Sequence, residues 1–234
     1  MGRRNSNKNK KPPSPPTSSY SKPSSSSFSF TQAQAPVKVP SKEECIDNLY
    51  NSYATSSMIG PEGIERLSSD LGIDYTDVRM LMLAWKMQAE KQGFFTLEEW
   101  RRGLKALQAD TIIKLQQALP ELENEVQKPA NHLNFYTYAF EYCLTEDRQK
   151  SIDVECICQL LELVLGSKFH HQVKSFVRYL KTQVDYKVIN TDQWTAFYRF
   201  CNEISFPDLK NYDDTLAWPL IVDDYVEWMK STKT

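Results

Sequence analysis

The sequence predicts an all-α protein: two packed helical lobes behind a disordered tail, the first lobe EF-hand-like but without calcium ligands. Three observations predict this. From residue 41 onward, apolar residues recur at helical spacing in segment after segment, each bounded by capping residues, prolines or glycines. No stretch sustains period-two alternation, and β-hairpin turn chemistry is sparse. The connections are short, which favours helices grouped into lobes of roughly 41–128 and 129–230 over one long bundle.

Residues 1–40 differ in kind from the rest. They hold seven of the twelve prolines, ten serines, seven basic residues and no acid. Such a segment buries too little apolar surface to offset its ordering entropy, so it reads as a disordered basic tail. Lys8-Asn9-Lys10-Lys11 fits either a weak nuclear-import signal or a solubilising cluster. The opening Met-Gly-x-x-x-Ser matches the N-myristoylation pattern at Gly2. That pattern is permissive, and membrane attachment is not the expectation.

The helices follow in order. Ser41-x-x-Glu44 is a capping box opening a helix through Tyr53. Pro61 suits the first turn of a second helix and Gly72 its end. MLMLAW at 80–85 is apolar all round and belongs in a core. Thr96-x-x-Glu99 caps the next helix, and Asp110 can cap TIIKLQQALPELENEV, which Pro120 should kink. Pro129 opens a helix carrying Phe135, Tyr138 and Tyr142. SIDVECICQLLELVLG reads as one helix ending at Gly166, and FHHQVKSFVRYLKTQ as another. Asn190 or Thr191 can cap DQWTAFYRFCNEI, and Pro219 can sit in the first turn of a last helix.

Composition excludes several functions. Without the tail the chain has 21 basic and 30 acidic residues, a net of −9, which disfavours nucleic acid and favours a basic protein surface as partner. No apolar run approaches 18 residues, and no apolar core follows the basic start, so neither a membrane span nor a secretory signal is expected. Five irregularly spaced cysteines suggest reduced intracellular thiols. There are only seven glycines, none beyond Gly166, and no phosphate-binding glycine motif, so no cofactor is expected. Cys156-Ile-Cys158 lacks a second Cys/His pair at zinc spacing, and a helix would point its two thiols to different sides. His132, His170 and His171 are the only histidines, and no Ser or Cys sits in a nucleophile-elbow context. KQGFFTLEEW and TEDRQKSIDVE place Phe, Arg, Gln or Lys where a calcium loop needs oxygens, so no metal is expected.

Acid concentrates near the C-terminus. Residues 201–230 hold Glu203, Asp208, Asp213, Asp214, Asp223, Asp224 and Glu227 against Lys210 and Lys230. On a helix, Asp223 and Glu227 would share an exposed stripe, with Ile221, Tyr225 and Trp228 packing inward. The helix dipole accounts for Asp223 alone, but poorly for the whole cluster.

The series GPEGIERL (60–67), MLMLAWKMQAEKQGFFTLEEW (80–100), NTDQW (190–194) and NYDDTLAWPLIVDDYVEW (211–228) resembles the defective-in-cullin-neddylation family, over about 41–230. The folded region of that family is the potentiating-neddylation domain. The resemblance implies a non-enzymatic, scaffold-type co-ligase. It would hold a cullin C-terminal domain, with its RING subunit, and a neddylation conjugating enzyme, promoting transfer of the ubiquitin-like modifier to the cullin. It implies a cullin-binding patch at Asp192, Ala217 and Asp223. It also implies a pocket for the conjugating enzyme's acetylated N-terminal methionine, at Ile64, Met80, Leu81, Leu83, Ala84, Met87, Gln92, Phe95, Tyr142, Leu160 and Leu163. Without the resemblance, most of these apolar positions read simply as core. A monomer shared between nucleus and cytoplasm is expected. The sequence departs from the family at Leu216, where Gly commonly precedes Ala-Trp-Pro; a positive φ there would strain Leu. It also carries one extra residue around 204–207, and Pro61, Met80 and Met87 replace branched aliphatics. The alternative reading is a calcium-independent, EF-hand-like adaptor for a basic amphipathic helix. An acid–base hydrolase using the C-terminal aspartates is a third, disfavoured by the absence of any evident pKa-raising pocket.

Overall fold

The computed structural model describes residues 40–232. The tail features, including the basic cluster at Lys8–Lys11 and the pattern at Gly2, lie outside the described residues. Four helices open the domain: α1 (Lys42–Tyr53), α2 (Pro61–Leu71), α3 (Val78–Met87) and α4 (Leu97–Ala106). Their ends follow local chemistry. Ser41 with Glu44 and Thr96 with Glu99 form reciprocal capping boxes, and Gly72 closes α2 in the left-handed conformation at φ 71°. The α1–α2 and α3–α4 loops meet where Ile59 and Phe95 exchange two backbone hydrogen bonds of 2.9 Å. Both side chains are buried there, so the two loops satisfy each other's backbone while closing the core.

The arrangement recurs further on. After α5 (Ile112–Val126) come α6 (Pro129–Tyr142), α7 (Val154–Leu165), α8 (His170–Thr182) and α9 (Thr191–Glu203). The α6–α7 and α8–α9 loops contribute β1 (Ser151–Asp153) and β2 (Val188–Asn190), an antiparallel pair with Ile152 opposite Ile189. Both halves therefore have the EF-hand-like form of paired helix–loop–helix units. Residues 151–153, expected to be helical, are strand instead; Asp153 caps α7, accepting from the Cys156 N–H at 2.9 Å. Thr111 rather than Asp110 caps α5, its hydroxyl accepting from the Lys114 N–H at 3.3 Å, while Asp110 pairs with the Lys114 ammonium. Asn190 caps α9 in a third capping box. α5 passes through Pro120 as one helix and packs on α2, α3 and α6.

α10 (Leu220–Thr232) begins one residue after Pro219 and packs on α8 and α9. An aromatic core holds this end. Tyr136 stacks on Trp194 at 4.2 Å, and each donates a hydrogen bond to the other's carbonyl. Phe176 stacks on Phe197 at 4.0 Å and meets Tyr225 edge-on. Ile221 and Tyr225 are fully buried, whereas Trp228, expected inside, is half-buried. In the first half two glycines mark tight points: a Cβ would lie 2.3 Å from the Tyr53 carbonyl oxygen at Gly63, and 2.4 Å from Met87 Cγ at Gly103. No helix among the described residues is long and apolar enough to cross a membrane.

Candidate functional site

Two regions stand out, one concave and apolar, the other acidic. The first is a cavity of about 530 Å³ between α2, α3, the 92–95 loop, the end of α6, and α7. Its size falls in the range of about 300–1,000 Å³ typical of small-ligand clefts. Ile64, Met80, Leu81, Ala84, Gln92, Phe95, Tyr142, Leu160 and Leu163 line it. Leu83 and Met87, also expected in the wall, are fully buried and do not reach the cavity. Met87 sits at the far end of α3 against Gly103, so packing against α4 takes it away from the opening.

The cavity has a polar side. Tyr142 Oη accepts from the Gly93 N–H at 3.2 Å, and its own proton finds no acceptor among the described residues. Burial pushes the Tyr142 phenol up to about 12, so it remains a donor at neutral pH. Gln92 is exposed at the opening, its amide 3.9 Å from Cys143 Sγ. Burial pushes the Cys143 thiol up to about 11, which keeps it protonated and unreactive. Pro61, Glu62, Glu65, Tyr75, Thr76, Asp77, Gly93 and Cys143 complete the wall. Apart from Pro61, noted at the pocket as a departure from the family, the sequence reading missed them as site residues. One signal was available in Tyr75, an aromatic in a polar turn, which is 61% exposed.

The second region is the face of α9 and α10. Asp192 is exposed in the first turn of α9, and its carboxylate makes no hydrogen bond or ion pair among the described residues. Asp223 is half-buried and accepts from the Tyr212 hydroxyl. Asp224 beside it accepts from Tyr186. Burial and these carboxylates together push both phenols well above the usual tyrosine range. Glu227 is exposed. Ala217 is exposed next to buried Trp218, which stacks on Tyr212 and carries the Arg199 guanidinium 4.0 Å over its ring. Asp192 lies two turns before Arg199 on α9, about 10 Å along the axis. No bond joins Asp192, Ala217 and Asp223 to one another among the described residues; each is set by its own element. Leu216 and Leu220 add exposed apolar surface at 49% and 68%. Leu216 does not have a positive φ, so the expected strain is absent; that conformation falls instead on Leu209, at φ 56°.

Among the described residues no three His, Cys, Asp or Glu side chains cluster as a metal site would require. Cys156 is exposed and Cys158 buried, on different sides of α7, and all five cysteines are free thiols. His132 is buried against Tyr198 Oη at 3.1 Å, while His170 and His171 are exposed.

Residues 114–228 match a family model described as cullin binding. The chain is 36% identical over 209 residues to human DCN1-like protein 5, covering 87% of this chain and 86% of the relative. It is 39% identical over 190 residues to human DCN1-like protein 4, covering 81% of this chain and 64% of that protein. With the DCN1-like protein 4 of Drosophila melanogaster it shares 36% identity over 181 residues, 77% and 71% of the two chains.

Proposed function

The chain belongs to the DCN1-like, cullin-binding family, and on that premise we propose that it promotes cullin neddylation as a scaffold-type co-ligase. In this reading the acidic face meets a basic surface of a cullin C-terminal domain, bound with its RING subunit, and the apolar cavity takes the acetylated N-terminal methionine of the conjugating enzyme. The observation that carries the reading is the occurrence, on one folded domain, of an open apolar cavity and a face where Asp192, Asp223, Asp224 and Glu227 pair with no cation among the described residues.

The chemistry of the two surfaces supports it. A methionine side chain gains by leaving water for the slot formed by Met80, Ala84, Phe95 and Leu160. The free Tyr142 proton and the Gln92 amide can pair with the acetyl amide. Acetylation removes the terminal ammonium, whose burial among apolar groups would be costly. At the other surface, exposed Ala217 offers no bulk to hold a partner off, while Asp192 and Asp223 offer charge. The chain itself performs no covalent step. It acts as a monomer that raises the effective concentration of one partner at the other, in nucleus and cytoplasm.

A reconstituted cullin-modification assay tests this directly. Wild-type protein accelerates transfer, and Asp192→Lys with Asp223→Lys removes the acceleration; full activity in that variant would overturn the patch assignment. The acidic rim and Met80 of the cavity also favour a second reading, an adaptor for a basic amphipathic helix. Equal binding of acetylated and unacetylated helical peptides would select it.

A further inference from the structure

We propose that the opening of the cavity selects a cation, so that its occupant is an N-acetylated, methionine-led peptide with lysine or arginine among its first few residues. This rests on the acetyl-methionine reading above and adds a charge requirement to it. The wall holds three carboxylates, Glu62, Glu65 and Asp77, and no Lys, Arg or His. Asp77 is already compensated, because Arg79 donates to both its oxygens at 2.9 and 2.6 Å. The carboxylates of Glu62 and Glu65 make no hydrogen bond or ion pair among the described residues. They lie three apart on α2, hence on neighbouring positions of one helix edge.

The basic residues next to the wall in sequence, Arg66 beside Glu65 and Lys91 beside Gln92, are occupied elsewhere. Arg66 donates to the Tyr53 carbonyl at 3.0 Å, and Lys91 lies 4.1 Å from the Phe94 ring centroid. Burial separates the two parts of the wall: Met80, Ala84 and Phe95 are almost inaccessible, whereas Glu62 and Glu65 are exposed. A blocked apolar terminus therefore fits the floor, and the residues that follow it pass the carboxylate edge. A bound peptide displaces water from that edge, and charge–charge attraction strengthens as water leaves. The same edge repels an acidic peptide, so it acts on choice of partner as well as on affinity.

The test is fluorescence polarisation of the full chain with three acetyl-methionine peptides of equal length. They carry two lysines, two norleucines or two glutamates within positions two to five and are otherwise identical. At low salt the lysine peptide should bind about fivefold tighter than the norleucine peptide, and the glutamate peptide weaker than both. The spread should shrink at high salt. In Glu62→Gln with Glu65→Gln the three affinities should converge to within about twofold, with the fold checked by circular dichroism. Equal affinities in the wild type, or a ranking that survives in the glutamine variant, would overturn the cation preference. Failure of every acetylated peptide to bind would overturn the acetyl-methionine reading and this proposal with it. A lysine preference that persists unchanged in unacetylated peptides would support the edge but remove the acetyl requirement.

Discussion

The cavity is walled by side chains that folding had to bury in any case, whereas the face of α9 and α10 is made of side chains that water would hold equally well. Met80, Ala84, Phe95 and Leu160 are core residues that leave a gap between α2, α3, α6 and α7. Their positions are fixed by packing, so a change there touches shape and stability together. The Asp192 carboxylate makes no bond among the described residues and Asp223 only the one with Tyr212; beyond that, each adds the small gain of an acid in a helix's first turn. Changes there should act on binding and leave the core alone. The contrast separates a cavity set by packing from a face whose side chains offer charge.

The largest expected effect breaks the face alone. Asp192→Lys with Asp223→Lys should weaken binding to a cullin C-terminal fragment by about 100-fold or more, since like charges set against each other cost several kcal/mol. Calorimetry with an acetyl-methionine peptide should show no change, and the thermal midpoint should fall by only a few degrees, from loss of the Tyr212 bond and of two first-turn carboxylates. Next comes the reciprocal change. Ala84→Phe fills the cavity and should cost more than about tenfold in peptide affinity through steric exclusion. It should leave cullin-fragment affinity unchanged, while overpacking lowers stability by about 1–3 kcal/mol.

A third change sharpens the link between socket and core. Gly103→Ala pushes a methyl against Met87 Cγ, 2.4 Å from the ideal Cβ position. Urea unfolding should show a loss of about 1–3 kcal/mol although residue 103 lines neither site. The smallest effect concerns what the two regions share. His132 joins α6, which carries Tyr142, to α9, which carries Asp192. Burial, with Lys168 nearby, holds its imidazole down to about 4, against 6.5 in the unfolded chain. Between those values the unfolded state binds more protons, so stability should be full above pH 6.5 and fall as pH drops through the window toward 4. In His132→Gln, unfolding free energies at pH 7 and pH 5 should differ less than in the wild type.

What could be read from the sequence was what is local. The Ser41–Glu44 and Thr96–Glu99 boxes, Pro61, Pro129 and Gly72 each act within a turn, and they set the helix ends where expected. The strand at 151–153 was not legible, because its partner lies almost forty residues away and three residues carry no usable periodicity. Asp110 and Thr111 are both good caps, and their sequence alone does not choose between them; Thr111 takes the cap and Asp110 pairs with Lys114. The cavity could be reached only through resemblance. Its apolar residues look like any core, and nothing local tells Ala84, which borders the gap, from Leu83, which does not. Glu62, Tyr75 and Cys143 converge from three separate segments, so no spacing rule brings them together. On the acidic face the charge itself was plain, but the tyrosine donors to Asp223 and Asp224 were not.

In the proposed function one chain engages both partners at once. The direct measurement is transfer to the cullin in the presence of two defective variants together, Ala84→Phe and Asp192→Lys/Asp223→Lys, each supplying the site the other lacks. The mixture should stay as slow as either variant alone, because bridging needs both sites on the same molecule. Recovery of the wild-type rate by the mixture would contradict it.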